Sequence, residues 1–141
     1  MLRVFLDANV LFSASSAPDH NFLRLWRDPN VVCITSFYVA DEVRRNCVNA
    51  SHRRRCESLL KQTHLVSGAA DFQPPPRIIL PVKDRPILAA AMQAGADYLI
   101  TGDKAHFGKW MNEPGATRTG TLIIMRPRPF LLLLESKRGQ R

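Results

Sequence analysis

The chain has 141 residues, 45% of them apolar and 23% charged, a composition that excludes a disordered segment and fits a folded globular protein. One domain over residues 1–141 is expected, burying about two thirds of its unfolded surface and needing no disulfide staple. Lysine and arginine outnumber the acids 20 to 12, for a net charge of +8, so a polyanionic partner, nucleic acid first, is weighed against a merely solvated basic surface.

Taken in order, the apolar run Leu2–Leu6 reads as a buried parallel strand with Asp7 at its carboxyl end. Residues 9–12 turn towards a helix, and 13–21, with Pro18 and Asp19, read as a surface loop. A short helix over 21–27 and a turn at Asp28, Pro29 and Asn30 precede a second buried strand, 31–34. Thr35 or Ser36 then caps a helix running to about Asn49, with Val39, Val43 and Cys47 as its core-facing stripe. Glu42 lies on the side of Val39 nearer that stripe, whereas Asp41 points about 100° further round. Glu42 is therefore the inward acid of the pair.

Residues 51–63 form another predicted helix, carrying Arg53, Arg54 and Arg55, a basic run that is either a candidate RNA contact or a solvated face. Leu65 and Val66 suit a short strand, and the prolines of 73–76 make a connector. Asp84 precedes Pro86 as the expected N-cap of a helix whose Ile87, Leu88, Ala91 and Gly95 share one face. The apolar Tyr98–Ile100 run follows, closed by Thr101, Gly102 and Asp103, so that a second strand ends in an acid. Loops anchored by Trp110 are predicted over 108–119 and a fifth strand over 121–125. Residues 126–129, with two prolines, should hold off a terminal helix until Phe130, and the chain closes on the basic residues Lys137, Arg138 and Arg141. Strands alternating with helices imply an α/β fold: one parallel sheet with helices on both faces.

Cys33, Cys47 and Cys56 form no CxxC pair and are odd in number, which sets aside a disulfide framework and suits a reducing cytoplasm. Asp7 and Asn9 interrupt the apolar N-terminus, so it reads as mature sequence and not as a signal peptide. No apolar run reaches the ~18 residues of a membrane span. A soluble cytoplasmic protein is expected.

Asp7, Glu42, Asp84 and Asp103 are the residues that carry chemistry. Three fall where the sheet's carboxyl edge gathers side chains and the fourth is on a flanking helix. Four carboxylates at one site repel one another unless cations neutralise them, and all-oxygen ligation selects Mg²⁺ or Mn²⁺ over zinc. A basic protein with an acidic metal pocket points to metal-assisted hydrolysis of a phosphodiester. A dehalogenase-type phosphatase needs a second aspartate where this chain has Asn9, and the early acid pair of a response-regulator receiver is missing. His20, His52, His64 and His106 show no paired metal spacing and read as surface or packing residues.

FLDANVLFSA, the acid in DEVRRN, KDRPILAAAMQAGADYLITGDKAHF and the closing PRPFLLLL together resemble a PIN domain, the ribonuclease fold of VapC-type toxins. The resemblance spans nearly the whole chain. It implies a catalytic and metal-binding quartet of Asp7, Glu42, Asp84 and Asp103, with Asn9 and Thr101 as supporting polar groups. It also implies an Mg²⁺- or Mn²⁺-dependent endoribonuclease, an antitoxin protein as partner, and a homodimer. One departure is that some members carry a further acid where this chain has Ala105 and His106, which bears on a second metal ion. The alternative is a catalytically silent module that uses the same fold to hold RNA or protein.

Overall fold

A computed structural model describes residues 1–68, 73–111 and 122–139. Five strands, β1 (Leu2–Leu6), β2 (Val31–Ser36), β3 (His64–Val66), β4 (Tyr98–Ile100) and β5 (Ile123–Met125), pair in parallel in the order β3-β2-β1-β4-β5. Among the described residues there are seven α-helices: α1 (Ala8–Ala14), α2 (Arg24–Arg27), α3 (Phe37–Asn46), α4 (Ala50–Lys61), α5 (Arg85–Gln93), α6 (Lys104–Phe107) and α7 (Pro127–Gly139). Successive residues of a strand point to opposite faces, yet Val4, Phe5 and Leu6 are all fully buried. Both faces of the sheet are therefore covered, as expected of a parallel sheet.

The strand order also locates a crevice. From the central β1 the chain lays β2 and β3 to one side, then crosses back to place β4 and β5 on the other. Helices connecting to the two sides diverge at such a switch point, leaving an opening beyond the carboxyl ends of the two strands that flank it. Here those strands are β1 and β4, paired so that Leu6 lies opposite Ile100. Asp7 and Thr101 follow at the same level.

Several elements begin or end away from their expected positions. The predicted turn and loop after β1 are instead helical to Ala14, because Asp7, in extended backbone, accepts a 2.7 Å bond from the Ala8 N–H and so caps α1 at once. Asp84 does not cap α5 with its side chain. It already has helical backbone, as the last residue of a 3₁₀ turn, Val82–Asp84, that leads into the helix. Gly95 lies beyond α5 and not on its face: it takes a left-handed φ of +67°, while its N–H reaches Met92 and that of Ala96 reaches Ala91, the paired bonds of a glycine stop. The helix expected from Phe130 starts at Pro127, since prolines in a first turn lack only N–H groups that would have no helical partner.

The proline connector is held from α5, where Arg85 donates to the carbonyls of Pro74 and Ile78 at 3.5 and 3.3 Å. Trp110 is buried, as the loop expectation required, and Met111 bridges to Ile124 beside β5. The remainder of that loop region, Thr121 and Arg141 lie outside the described residues. No helix among the described residues is long and apolar enough to cross a membrane.

Candidate active site

Asp7, Glu42, Asp84 and Asp103, separated by up to 96 positions in the sequence, line one cleft of about 320 Å³ at the β1/β4 crevice, together with Asn9, Phe12, Asn46 and Lys83. Each acid arrives by a different element. Asp7 ends β1, Asp103 follows β4, Glu42 projects from α3 and Asp84 closes the 3₁₀ turn before α5. Glu42 is the half-buried member of its pair; Asp41 is exposed and lies 3.5 Å from Arg44. The helical angle separates them as expected.

Asp7 is tied in place by hydrogen bonds. Its Oδ1 takes the Ala8 N–H, and its Oδ2 takes the Thr101 hydroxyl at 2.7 Å and the Asn9 amide at 3.4 Å. Thr101 Oγ1 in turn accepts from Asn9 at 3.3 Å and from the Asp103 N–H at 3.1 Å, while Asn9 Oδ1 accepts from the Gly102 N–H at 2.8 Å. Asn9 and Thr101 thus stitch the end of β1 to the end of β4. Burial pushes the Asp7 carboxyl above its ordinary range; the Thr101 and Ala8 bonds pull it back, and the charges of Glu42 and Asp84 push it up again.

Asp84 differs. Its side chain is 8% exposed, and its Oδ2 is buried without a hydrogen-bond partner. Burial raises its carboxyl, against the lowering influence of His106 and Lys83, and Asp103 raises it further. A buried carboxylate oxygen without an aligned donor is costly unless something else binds it. Asp103 uses Oδ1 to cap α6 through the His106 N–H at 3.1 Å, which leaves its Oδ2 turned to the His106 ring.

His106, which the histidine spacing left as a surface or packing residue, stands beside two of the acids. Its Nδ1 stands 2.7 Å from one oxygen of Asp84 and 2.7 Å from one of Asp103. Neither carboxylate lies along a hydrogen-bonding direction of the ring. The signal available in the sequence was its spacing, three residues beyond Asp103, which one helical turn brings back to the same side. Lys83, at the cleft's exposed edge beside Asp84, was also missed.

The three arginines of α4 do not share one surface, because consecutive helical residues diverge by about 100°. Arg53 is 3.2 Å from Glu57, Arg54 donates to Ser51, and Arg55 donates to the carbonyls of Ser15 and Ser16 just beyond α1 at 2.7 and 3.0 Å. Arg55 lines a different cleft of about 410 Å³, with Trp26 and Leu59, and not the acidic one.

A protein-family model described as the PIN domain matches residues 3–105, well over half of the chain. The chain belongs to the PIN domain family. No curated protein sequence matches it. In three dimensions this PIN domain is similar to a chain in the crystal structure of VapBC2 from Rickettsia felis bound to a DNA fragment from their promoter. That likeness has a TM-score of 0.60 at 14% identity, covering 89% of this chain and 98% of the other. It is also similar to VapC20 from Mycobacterium tuberculosis, a toxin that cleaves the sarcin-ricin loop, with a TM-score of 0.52 at 19% identity over 71% and 91% of the two chains. At these identities the likeness is one of fold. PIN domains are generally nucleases, and this one has an acidic cluster in its cleft.

Proposed function

We propose that this PIN domain is an Mg²⁺- or Mn²⁺-dependent endoribonuclease and the toxin of a toxin–antitoxin pair. The observation that carries the reading is the convergence of Asp7, Glu42, Asp84 and Asp103 on one cleft, where the buried Asp84 Oδ2 accepts no well-aligned hydrogen bond. A divalent ion fits that lack: the donors are predominantly hard carboxylate oxygens, and an ion removes the repulsion among them. When bound, such an ion lowers the pKa of an attacking water and stabilises the leaving oxygen of a phosphodiester. The four acids would hold it. Asn9 and Thr101 orient Asp7, and Lys83 at the exposed edge draws a phosphate towards the cleft.

RNA as substrate is supported by the net charge of +8 and by the fold shared with a toxin that cleaves the sarcin-ricin loop. An antitoxin partner is supported by the fold shared with a chain of the VapBC2 complex, and a homodimer and cytoplasmic action belong to the same proposal. The test is incubation of the purified protein with structured and unstructured RNA in Mn²⁺, Mg²⁺ or EDTA. Cleavage that requires the ion and is lost in Asp84→Asn is the expected result. Absence of cleavage with every ion and substrate would leave the fold as a binding module.

A further inference from the structure

We infer that His106 is itself a metal ligand. Its Nδ1 joins Asp84 and Asp103 in an oxygen, oxygen and nitrogen donor set that moves the ion preference of this PIN domain away from Mg²⁺ and towards first-row transition ions such as Mn²⁺. The inference rests on the metal-dependent reading above and adds to it a residue outside the acidic quartet.

The geometry is that of donors converging on a point. One oxygen of Asp84, one of Asp103 and a ring nitrogen of His106 all lie within 4.8 Å of one another. Two ligands of one octahedral ion at ~2.1 Å stand about 3 Å apart when adjacent and about 4.2 Å apart when opposite. The 2.7 Å separations of Nδ1 from the two carboxylates therefore need to open by only a few tenths of an ångström. The ring stands at ion-pair distance from both carboxylates without hydrogen-bond geometry to either. Neither carboxylate lies where a ring N–H would point, and both His106 Nδ1 and Asp84 Oδ2 are buried without a hydrogen-bond partner. Local structure holds the ring there: Asp103 caps α6 through the His106 N–H, so the residue that supplies one ligand also places the next. Ala105, the residue between Lys104 and His106, is exposed and carries no donor. The nitrogen of His106 supplies the ligand that Ala105 lacks.

The consequence is chemical. Carboxylate and water oxygens suit Mg²⁺, whereas an imidazole nitrogen is a softer donor that Mg²⁺ takes poorly and transition ions take readily. The test uses wild-type protein with ¹⁵N-labelled histidine, loaded with Mn²⁺ and read by pulsed electron paramagnetic resonance. A ¹⁵N coupling to the ion that disappears in His106→Ala is expected. In parallel, the Mn²⁺ and Mg²⁺ affinities of His106→Asp, which restores an oxygen donor, should draw together by at least about tenfold relative to wild type. Bound Mn²⁺ without nitrogen coupling in the wild type would overturn the role of His106 and leave the carboxylate site standing. Failure of Mn²⁺ to bind at all would overturn both readings. The wild-type spectrum decides even if a variant does not fold.

Discussion

Asp7 and Asp84 are both buried acids of one cleft, but neutralising them should have opposite effects on the metal-free protein. Burial, with Asp103, raises the Asp84 carboxyl in spite of the nearby His106 and Lys83, so Asp84→Asn removes a charge the folded state disfavours and should melt at or above wild type in EDTA. Asp7→Asn must set its NH₂ against either the Ala8 N–H or the Thr101 hydroxyl, both of which donate to Asp7, and Thr101 Oγ1 already accepts from Asn9 and the Asp103 N–H. It should lose about 1–2 kcal/mol in the same melt. Excess Mn²⁺ should then raise the wild type above both variants, because a ligand that binds only the folded state stabilises it by mass action. At the neighbouring pair, Glu42→Gln should abolish RNA cleavage while Asp41→Asn, on the exposed side of α3, keeps most of it; equal loss would sink the assignment. The two strand-end acids were legible because each closes an apolar run. Glu42 was legible from its angle to Val39. His106 was hidden because the helix that returns it to Asp84 and Asp103 is a single turn, too short to leave a periodic pattern.

At the scale of elements, α3 and α4 are joined by Arg44, whose guanidinium meets Glu57 at 2.5 Å, with Arg53 3.2 Å from the same carboxylate. The Arg44 hydrogen bond holds the Glu57 carboxyl below its ordinary range, outweighing burial, and Arg53 lowers it further. A lowered folded value means stability that is present above the unfolded carboxylate pKa and lost as pH falls through the folded one. Glu57→Gln should therefore cost about 0.5–1 kcal/mol at neutral pH, allowing for solvent screening of this partly exposed pair, and the difference from wild type should vanish in acid. Urea melts at several pH values would check it. Arg55→Ala should destabilise by about 1–2 kcal/mol, since two carbonyls beyond α1 lose a charged donor, without altering RNA affinity. The basic run reads as one feature in the sequence. The folded helix gives its three members three different tasks, because adjacent side chains leave a helix in different directions. Strand positions were legible for the complementary reason: residues 4–6 of β1 and all of β4 are continuous apolar runs buried on both faces, with ends marked by polar residues. Helix starts were less so, as at α7, where two prolines that read as a barrier sit in the first turn.

For the molecule as a whole, the excess of basic residues should appear as a steep fall of RNA affinity with salt. Lys83→Ala should reduce the slope of log K against log salt by about 0.7 if its ammonium holds one phosphate of a single strand, and an unchanged slope would remove Lys83 from the binding surface. The alternation of strands and helices made the α/β architecture legible. The strand order was not, because the reversal that sets β4 beside β1 leaves no mark in local pattern; it is decided by which apolar edges remain unpaired once β2 has docked.

That reversal has a bearing on synthesis. The bond from Thr101 to Asp7 joins residues 94 positions apart, so the ribosome makes the two halves of the crevice at widely separated times. Until Tyr98–Ile100 has left the exit tunnel, one edge of β1 has no neighbour and Asp7 lacks both the Thr101 hydroxyl and the company of Asp103. A growing chain thus carries no complete acidic cleft until β4 has emerged, and a fragment cut short before β4 lacks Thr101 and Asp103 altogether.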